Sequence, residues 1–554
     1  MNQTVALIGY GAAAVNAAIT LRNAGYQGAI QAFSNAGALP YSPMMTASYA
    51  AGACDYQGMF PWDKADLAQL NVQVIADAPV TRLNVQERTI TAGGQEYPYD
   101  LCLIASGAHP VGVGVPAAVA AGDSRAVNTA PAAPDVLATS TAQISQSIFT
   151  SSQDVSYSPA GLQDAGTPED MAGAAVAAGD MCAVATAGEF RPLYLRTLED
   201  ARALHDALTS ENESRILISG TSMVALKAVD ACMSQGVDVT LLGRSEHIMR
   251  RTACDEIAEA LEDVLREKGV DVRLSQVIEE AQPAENGHVR VTFSNGDVAD
   301  YSHVLVAHGI VPNLDFVPDG AFTQVDGVQE QGEGVGAPAE GIVQSGNDAA
   351  QGLPVDIATQ GIPVDEFMRT SDPYVYAAGD VARVLNIATG VRTPAGLWKE
   401  ACSQGACAGR AMAAALAGAQ PPAADMYHGF VPSNTITVGG CVVISGGSME
   451  LTQNRWLDVQ SRNECLIAVM YEQGQDAGEG AQVSIGVGED VAGNAAAGNA
   501  GGSNASGNAN ANGGEQLPQP LARIVGYNVF SKNGNPATSL AYDQAAMLYR
   551  QMMA

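Results

Sequence analysis

Val5-Ala6-Leu7-Ile8-Gly9-Tyr10-Gly11-Ala12-Ala13-Ala14 sets an apolar run directly against two glycines one residue apart, and small apolar residues follow. That order predicts a short buried strand, a tight turn and a helix over Ala12 to Ala24, after which Ala29 to Phe33 reads as a second strand. A strand-helix-strand unit with a GxGxxG/A turn binds a dinucleotide for physical reasons. Gly9 permits the turn, Gly11 lets the backbone approach a pyrophosphate, and Ala14 lets helix and strand pack closely. The helix N-terminus meanwhile offers its N–H groups to the anion. The acidic ribose partner expected after the second strand is missing, because Ser34-Asn35 stands there.

A second unit starts at Arg215 to Ser219, continues as a helix over Met223 to Gln235 and returns as Val237 to Leu242. Its turn is Gly220-Thr221-Ser222-Met223-Val224-Ala225, with Ser222 and Ala225 where glycines are usual. After the second strand comes Gly243-Arg244-Ser245-Glu246-His247-Ile248-Met249-Arg250, without the acid that would bind the 2'-hydroxyl of NAD. Arg244 and Arg250 are suited to a 2'-phosphate through charge-assisted bonds; the other reading is a pair of surface arginines with no ligand. Two such units in one chain imply two dinucleotides.

The 554 residues imply two to four domains. Lys+Arg 27 against Asp+Glu 59 leaves a net charge of -32, which repels nucleic-acid phosphates and anionic lipid surfaces, so neither is an expected partner. No run of 18 apolar residues offers a membrane span. The nine cysteines are scattered without CxxC or zinc-like spacing, which fits a reducing cytoplasm. Residues 127–190, without Lys or Arg, 328–359, rich in Gly, Glu and Gln, and the Asn/Gly/Ala tract at 474–517 read as flexible insertions.

Thr370-Ser371-Asp372-Pro373-Tyr374-Val375-Tyr376-Ala377-Ala378-Gly379-Asp380 resembles the TxxPxxxAxGD segment of the pyridine nucleotide-disulfide oxidoreductase superfamily. The resemblance implies that Asp380 binds the ribityl chain of FAD while Gly379 gives close backbone access. Tyr99 to Pro110 is similar to the family's ATG segment and brings Ala105 and Gly107 into the cofactor site. His109 beside it invites an acid/base role, but a structural or solvated histidine is favoured. The implied protein is α/β, with two Rossmann-like dinucleotide-binding domains, for FAD and NAD(P), plus a small α+β C-terminal domain. Its expected parts are an FAD domain at 1–126 and 319–418, an NAD(P) domain at 191–318 and an interface domain at 419–554 that would dimerise.

Disulfide-reducing branches carry a redox cysteine where this chain has Ser34 to Pro43, which contains none. The nearest resemblance, on Tyr41 to Thr46 and Ser433 to Gly447, is to rubredoxin, ferredoxin and nitrite-reductase-type NAD(P)H reductases and NADH oxidases. The expected activity passes hydride from NADPH or NADH to FAD, near Met223 and Val224, and then electrons to a small carrier protein or small-molecule oxidant. Two alternatives stand beside it. One is a thiol or CoA-disulfide reductase using Cys54; the other is a nonenzymatic flavoprotein redox sensor. Cys402 and Cys407, five apart on a predicted helix, read as packing residues.

Overall fold

The computed structural model describes residues 3–111, 191–210, 214–325, 357–462, 465–473, 522–532 and 536–553. The expected insertions at 127–190 and 474–517, and 328–359 apart from its last three residues, lie outside them.

The N-terminal unit comprises β1 (Thr4–Ile8), α1 (Ala12–Asn23), β2 (Ala29–Ser34), α2 (Thr46–Ala50), α3 (Lys64–Gln69) and β3 (Val72–Ala76). An antiparallel ribbon of β4 (Val80–Asn84), β5 (Thr89–Ala92) and β6 (Gln95–Pro98) follows, then β7 (Leu101–Ile104) and β8 (Ala108–Pro110). β1 and β7 are buried along nearly their whole length, which is why they read as unbroken apolar runs rather than alternating ones.

The second unit begins with α4 (Leu198–Thr209), whose start is fixed by a capping box between Thr197 and Asp200. β9 (Arg215–Ser219), α5 (Met223–Ser234), β10 (Asp238–Leu242), α6 (Asp255–Glu267) and β11 (Asp271–Arg273) form the nucleotide fold. An antiparallel ribbon of β12 (Ile278–Pro283), β13 (Val289–Phe293) and β14 (Val298–Tyr301) precedes β15 (His303–Val306), and the four parallel strands run β11-β10-β9-β15. α6 turns Ile257, Ala258, Leu261, Val264 and Leu265 inward at helical spacing. β16 (Ile310–Pro312) pairs antiparallel with β8 and returns the chain to the first unit.

There α7 (Ile357–Gln360), β17 (Ile362–Pro363), β18 (Val375–Ala377), β19 (Ala382–Leu385) and β20 (Arg392–Thr393) precede the long α8 (Trp398–Leu416). β18 joins β7 to complete a parallel sheet of order β18-β7-β1-β2-β3. α8 lies against α1 with glycines at the contact: a Cβ on Gly405 would fall 2.1 Å from the Ala13 carbonyl oxygen, and one on Gly409 2.8 Å from that of Ala17.

The C-terminal part is a five-stranded antiparallel sheet, β21 (Ser433–Val438), β22 (Cys441–Gly447), β23 (Arg455–Arg462), β24 (Cys465–Gln473) and β25 (Ala522–Ser531), with α9 (Pro536–Met553). Alternation along the strands builds two layers. Val443, Ala468 and Met470 pack into the nucleotide unit's core, while Val442, Ile467, Val469 and Val529 pack against Ala541, Ala545 and Leu548 of α9.

Candidate functional site

All loops named from the first sequence motif meet at one edge of one sheet. Because β18, β7, β1, β2 and β3 are parallel, Gly9, Gly11, Ala105, Gly107, Gly379 and Asp380 follow the carboxyl ends of strands and Ser34 is the last residue of one, at the edge where ligands of open α/β sheets bind. Gly9 has φ +96°, and a Cβ there would lie 2.3 Å from the Ala105 carbonyl oxygen, so only glycine closes this turn. Gly11 is the N-cap of α1 and makes no side-chain cap bond; a Cβ on it would meet nothing within 4 Å. The helix thus presents first-turn amides to an open space, with Ala14 fully buried behind. Ser34 ends β2, and its hydroxyl accepts from Ala36 N at 3.2 Å.

Asn313, from the segment after β16, clasps the turn after β7. Its amide N–H donates to Gly107 O at 2.9 Å and its side chain to Ser106 O at 2.9 Å, while the Ser106 hydroxyl donates to Asn313 O at 2.7 Å. His109 Nδ1 meets Asn313 Oδ1, which makes this histidine part of the clasp.

Gly379 has φ +83° and donates its N–H to the side-chain oxygen of the wholly buried Gln404 on α8, at 2.8 Å. Asp380 follows with its carboxylate held by the Arg196 guanidinium, whose Nε also donates to Ala108 O at 3.3 Å. The set suits FAD: free helix amides and an open glycine for a pyrophosphate, and a strand-end carboxylate for a sugar-alcohol chain.

The second edge is built on β9, β10 and β15. Gly220 has φ +123°, and a Cβ there would fall 2.5 Å from Ala307 O. Ser222 is the N-cap of α5: its hydroxyl accepts from Ala225 N and donates to Ala307 O, both at 3.4 Å. The serine therefore replaces a glycine with a working cap. Met223 is half-buried and Val224 exposed at the start of α5. The stretch after β10 folds onto this turn, with Met249 N donating to Thr221 O at 3.0 Å and Gln276 N to Gly243 O at 3.0 Å. Arg244, Arg250 and Arg251 point outward from it, exposed, and form no ion pair among the described residues.

Cys54 packs beside Tyr49 and Met59, and burial, with Asp55 nearby, pushes its thiol up to about 11. Burial likewise pushes Cys402 up to about 11 and Cys407 up to about 12; both lie on α8, and Cys407 Sγ donates to Asp425 O at 3.3 Å. None of the three is poised as a thiolate near neutral pH.

Arg196 and Asn313 were not singled out by the sequence. Only Arg196 carried a local signal, lying immediately before the Thr197/Asp200 capping box.

The pyridine nucleotide-disulphide oxidoreductase family matches residues 3–142, 174–335 and 338–405 of the chain. Putidaredoxin reductase CamA of Pseudomonas putida is 23% identical over 386 residues, 69% of this chain and 67% of that one. The matches span 27% to 73% of the curated relatives' lengths, and less than two thirds for most of them. An engineered water-forming NADPH oxidase bound to NADPH, derived from the Lactobacillus brevis enzyme, has the same fold with TM-score 0.63 at 16% identity, covering 99% of this chain and 91% of that one. Putidaredoxin reductase in its covalent complex with putidaredoxin gives TM-score 0.61 at 17% identity, covering 99% and 94%. Among the described residues no helix is long and apolar enough to cross a membrane.

Proposed function

This chain belongs to the pyridine nucleotide-disulphide oxidoreductase family, and on that premise we propose that it oxidises NADPH through FAD and delivers the electrons to a small carrier protein. Bound FAD supplies the redox chemistry, accepting hydride from the reduced nicotinamide and releasing electrons to the acceptor. The residues proposed to hold it are Gly9, Gly11, Ala14, Ser34, Ala105, Gly107, Gly379 and Asp380, in a domain of residues 1–126 and 319–418. Arg196 orients the Asp380 carboxylate toward the sugar-alcohol chain. Residues 191–318 form the NADPH domain, where Gly220 and Ser222 shape the pyrophosphate turn and Met223 and Val224 give the nicotinamide an apolar floor.

One observation carries the choice of NADPH. The engineered oxidase bears five substitutions that introduce, in order, alanine, alanine, arginine, serine and arginine. Ala225, Gly243, Arg244, Ser245 and Arg250 repeat their spacing, and four of the five residues are the same. The missing strand-end acid, the paired arginines and their lack of an ion pair among the described residues all suit a 2'-phosphate. The carrier-protein acceptor is supported by the similarity to putidaredoxin reductase and by the lack of a cysteine between Ser34 and Pro43.

Anaerobic stopped-flow reduction of the purified yellow protein tests the reading. NADPH is expected to bleach the flavin with a half-saturating concentration about tenfold or more below that of NADH. Equal concentrations for the two would remove the NADPH assignment, and a colourless protein that cannot be reconstituted with FAD would remove the whole reading.

A further inference from the structure

The segment carrying Arg244 and Arg250 is gripped by two buried polar side chains that belong to neither nucleotide turn. Glu262, on the inward face of α6 with a side chain 4% exposed, accepts from the amide of Ile248 at 3.0 Å and meets His247 Nδ1 at 3.3 Å. Its other oxygen faces Arg266 at 3.4 Å. At the far end of the segment stands Asn528 of β25, with no exposed surface. Its side-chain oxygen accepts from Cys254 N at 2.9 Å and its amide donates to Thr252 O at 2.7 Å. Between these points Ile248, Met249, Ala253 and Cys254 face inward, while Arg244, Arg250 and Arg251 face solvent.

A carboxylate at position 262 is an expensive way to fill a helix-packing site, because an apolar side chain would bury there without a desolvation cost. What the carboxylate adds is a fixed position for the Ile248 amide, two residues before Arg250. Asn528 adds the same at Thr252, two residues after it, and does so from the C-terminal sheet. Arginine loses much rotamer and backbone freedom when it binds a phosphate, so holding the backbone on both sides reduces the part of that loss that binding must offset.

We infer that Glu262 and Asn528 are positioning residues for 2'-phosphate recognition, setting the preference for phosphorylated over unphosphorylated nicotinamide nucleotide without touching either. The inference rests on the reading of Arg244 and Arg250 given above. It makes the C-terminal sheet part of the specificity apparatus of the nucleotide domain.

The test uses the FAD-loaded full chain, titrated with 2',5'-ADP and 5'-AMP and assayed with NADPH and NADH. Glu262→Leu is expected to raise KM for NADPH and Kd for 2',5'-ADP about tenfold, with values for NADH and 5'-AMP within about twofold and kcat at saturation unchanged. Glu262→Gln, which keeps an acceptor for the Ile248 amide, is expected to recover most of the loss. Asn528→Leu repeats the test from the other end of the segment and carries it alone if Glu262→Leu does not fold. Equal losses for both nucleotides, or unchanged discrimination in the folded variants, overturn the inference. A wild-type protein that binds 2',5'-ADP no better than 5'-AMP instead overturns the assignment of Arg244 and Arg250, and the inference with it.

Discussion

The guanidinium of Arg196 holds the carboxylate of Asp380, tying the entry to α4 to the strand end that completes the first parallel sheet. The two residues are 184 positions apart and both are largely buried, with side-chain exposures of 23% and 12%. Breaking a pair of this kind leaves the surviving charge poorly solvated, which is more damaging than replacing both partners together. Asp380→Ala is therefore expected to purify with little bound flavin, Asp380→Asn with an intermediate amount, and Arg196→Ala with weaker FAD binding but an intact fold. The ratio of 450 nm to 280 nm absorbance and FAD titration of stripped protein measure this. Full flavin content in Asp380→Ala would remove the aspartate from the site.

Two glycines one residue apart predict opposite outcomes. Gly9→Ala forces a Cβ to 2.3 Å from a backbone oxygen at φ +96° and is expected to destabilise the flavin-free protein by roughly 1–3 kcal/mol or more. Gly11→Ala meets nothing within 4 Å, and at a helix N-cap, where alanine is poorer than glycine, it is expected to cost roughly 0.5–1 kcal/mol. The methyl does, however, enter the space proposed for the pyrophosphate. Thermal unfolding should thus report Gly9→Ala, and FAD affinity should report Gly11→Ala. A Gly11→Ala protein that binds FAD as the wild type does would argue against that space being the pyrophosphate seat.

What could be read along the chain was what local periodicity encodes. β1, α1 and β2 were predicted within about one residue of their limits because Gly9 and Gly11 punctuate a strand and a helix of opposite period. Asn313 and Asn528 were illegible. Each works through partners 207 and 276 positions away, and no local pattern in an asparagine's neighbours announces such a bond. His109 attracted an acid/base reading by residue type alone, and its contact with Asn313 gives it a place in the clasp.

Arg244 and Arg250 are the direct test of the nucleotide preference. A charge-assisted bond contributes about 1.5–3 kcal/mol, so Arg244→Ala and Arg250→Ala are each expected to raise KM for NADPH roughly tenfold or more. KM for NADH should hold, because the 2'-hydroxyl offers these cations no charge. Both arginines are exposed, so added salt should also weaken NADPH selectively. Parallel loss with NADH in these variants would assign the arginines to general phosphate attraction instead.

Cys54 supplies the test against a thiol-based activity. Burial and Asp55 lift its thiol from 9.0 to about 11, so the folded protein favours the protonated form. The sign follows directly: this group's contribution to stability is complete below pH 9.0 and is lost as the pH rises toward about 11, where the folded protein also ionises. At pH 8 the thiolate fraction in the folded chain is then about a hundredfold below that of an unperturbed thiol, and alkylation slows in proportion. Mass spectrometry after iodoacetamide treatment should show Cys54 labelled far more slowly in the folded than in the unfolded protein at that pH. Cys54→Ala is expected to turn over NADPH at the wild-type rate with a carrier-type acceptor. Fast labelling at pH 8 together with loss of turnover in Cys54→Ala would instead place a reactive sulfur in the reaction path, because only a thiolate attacks a disulfide.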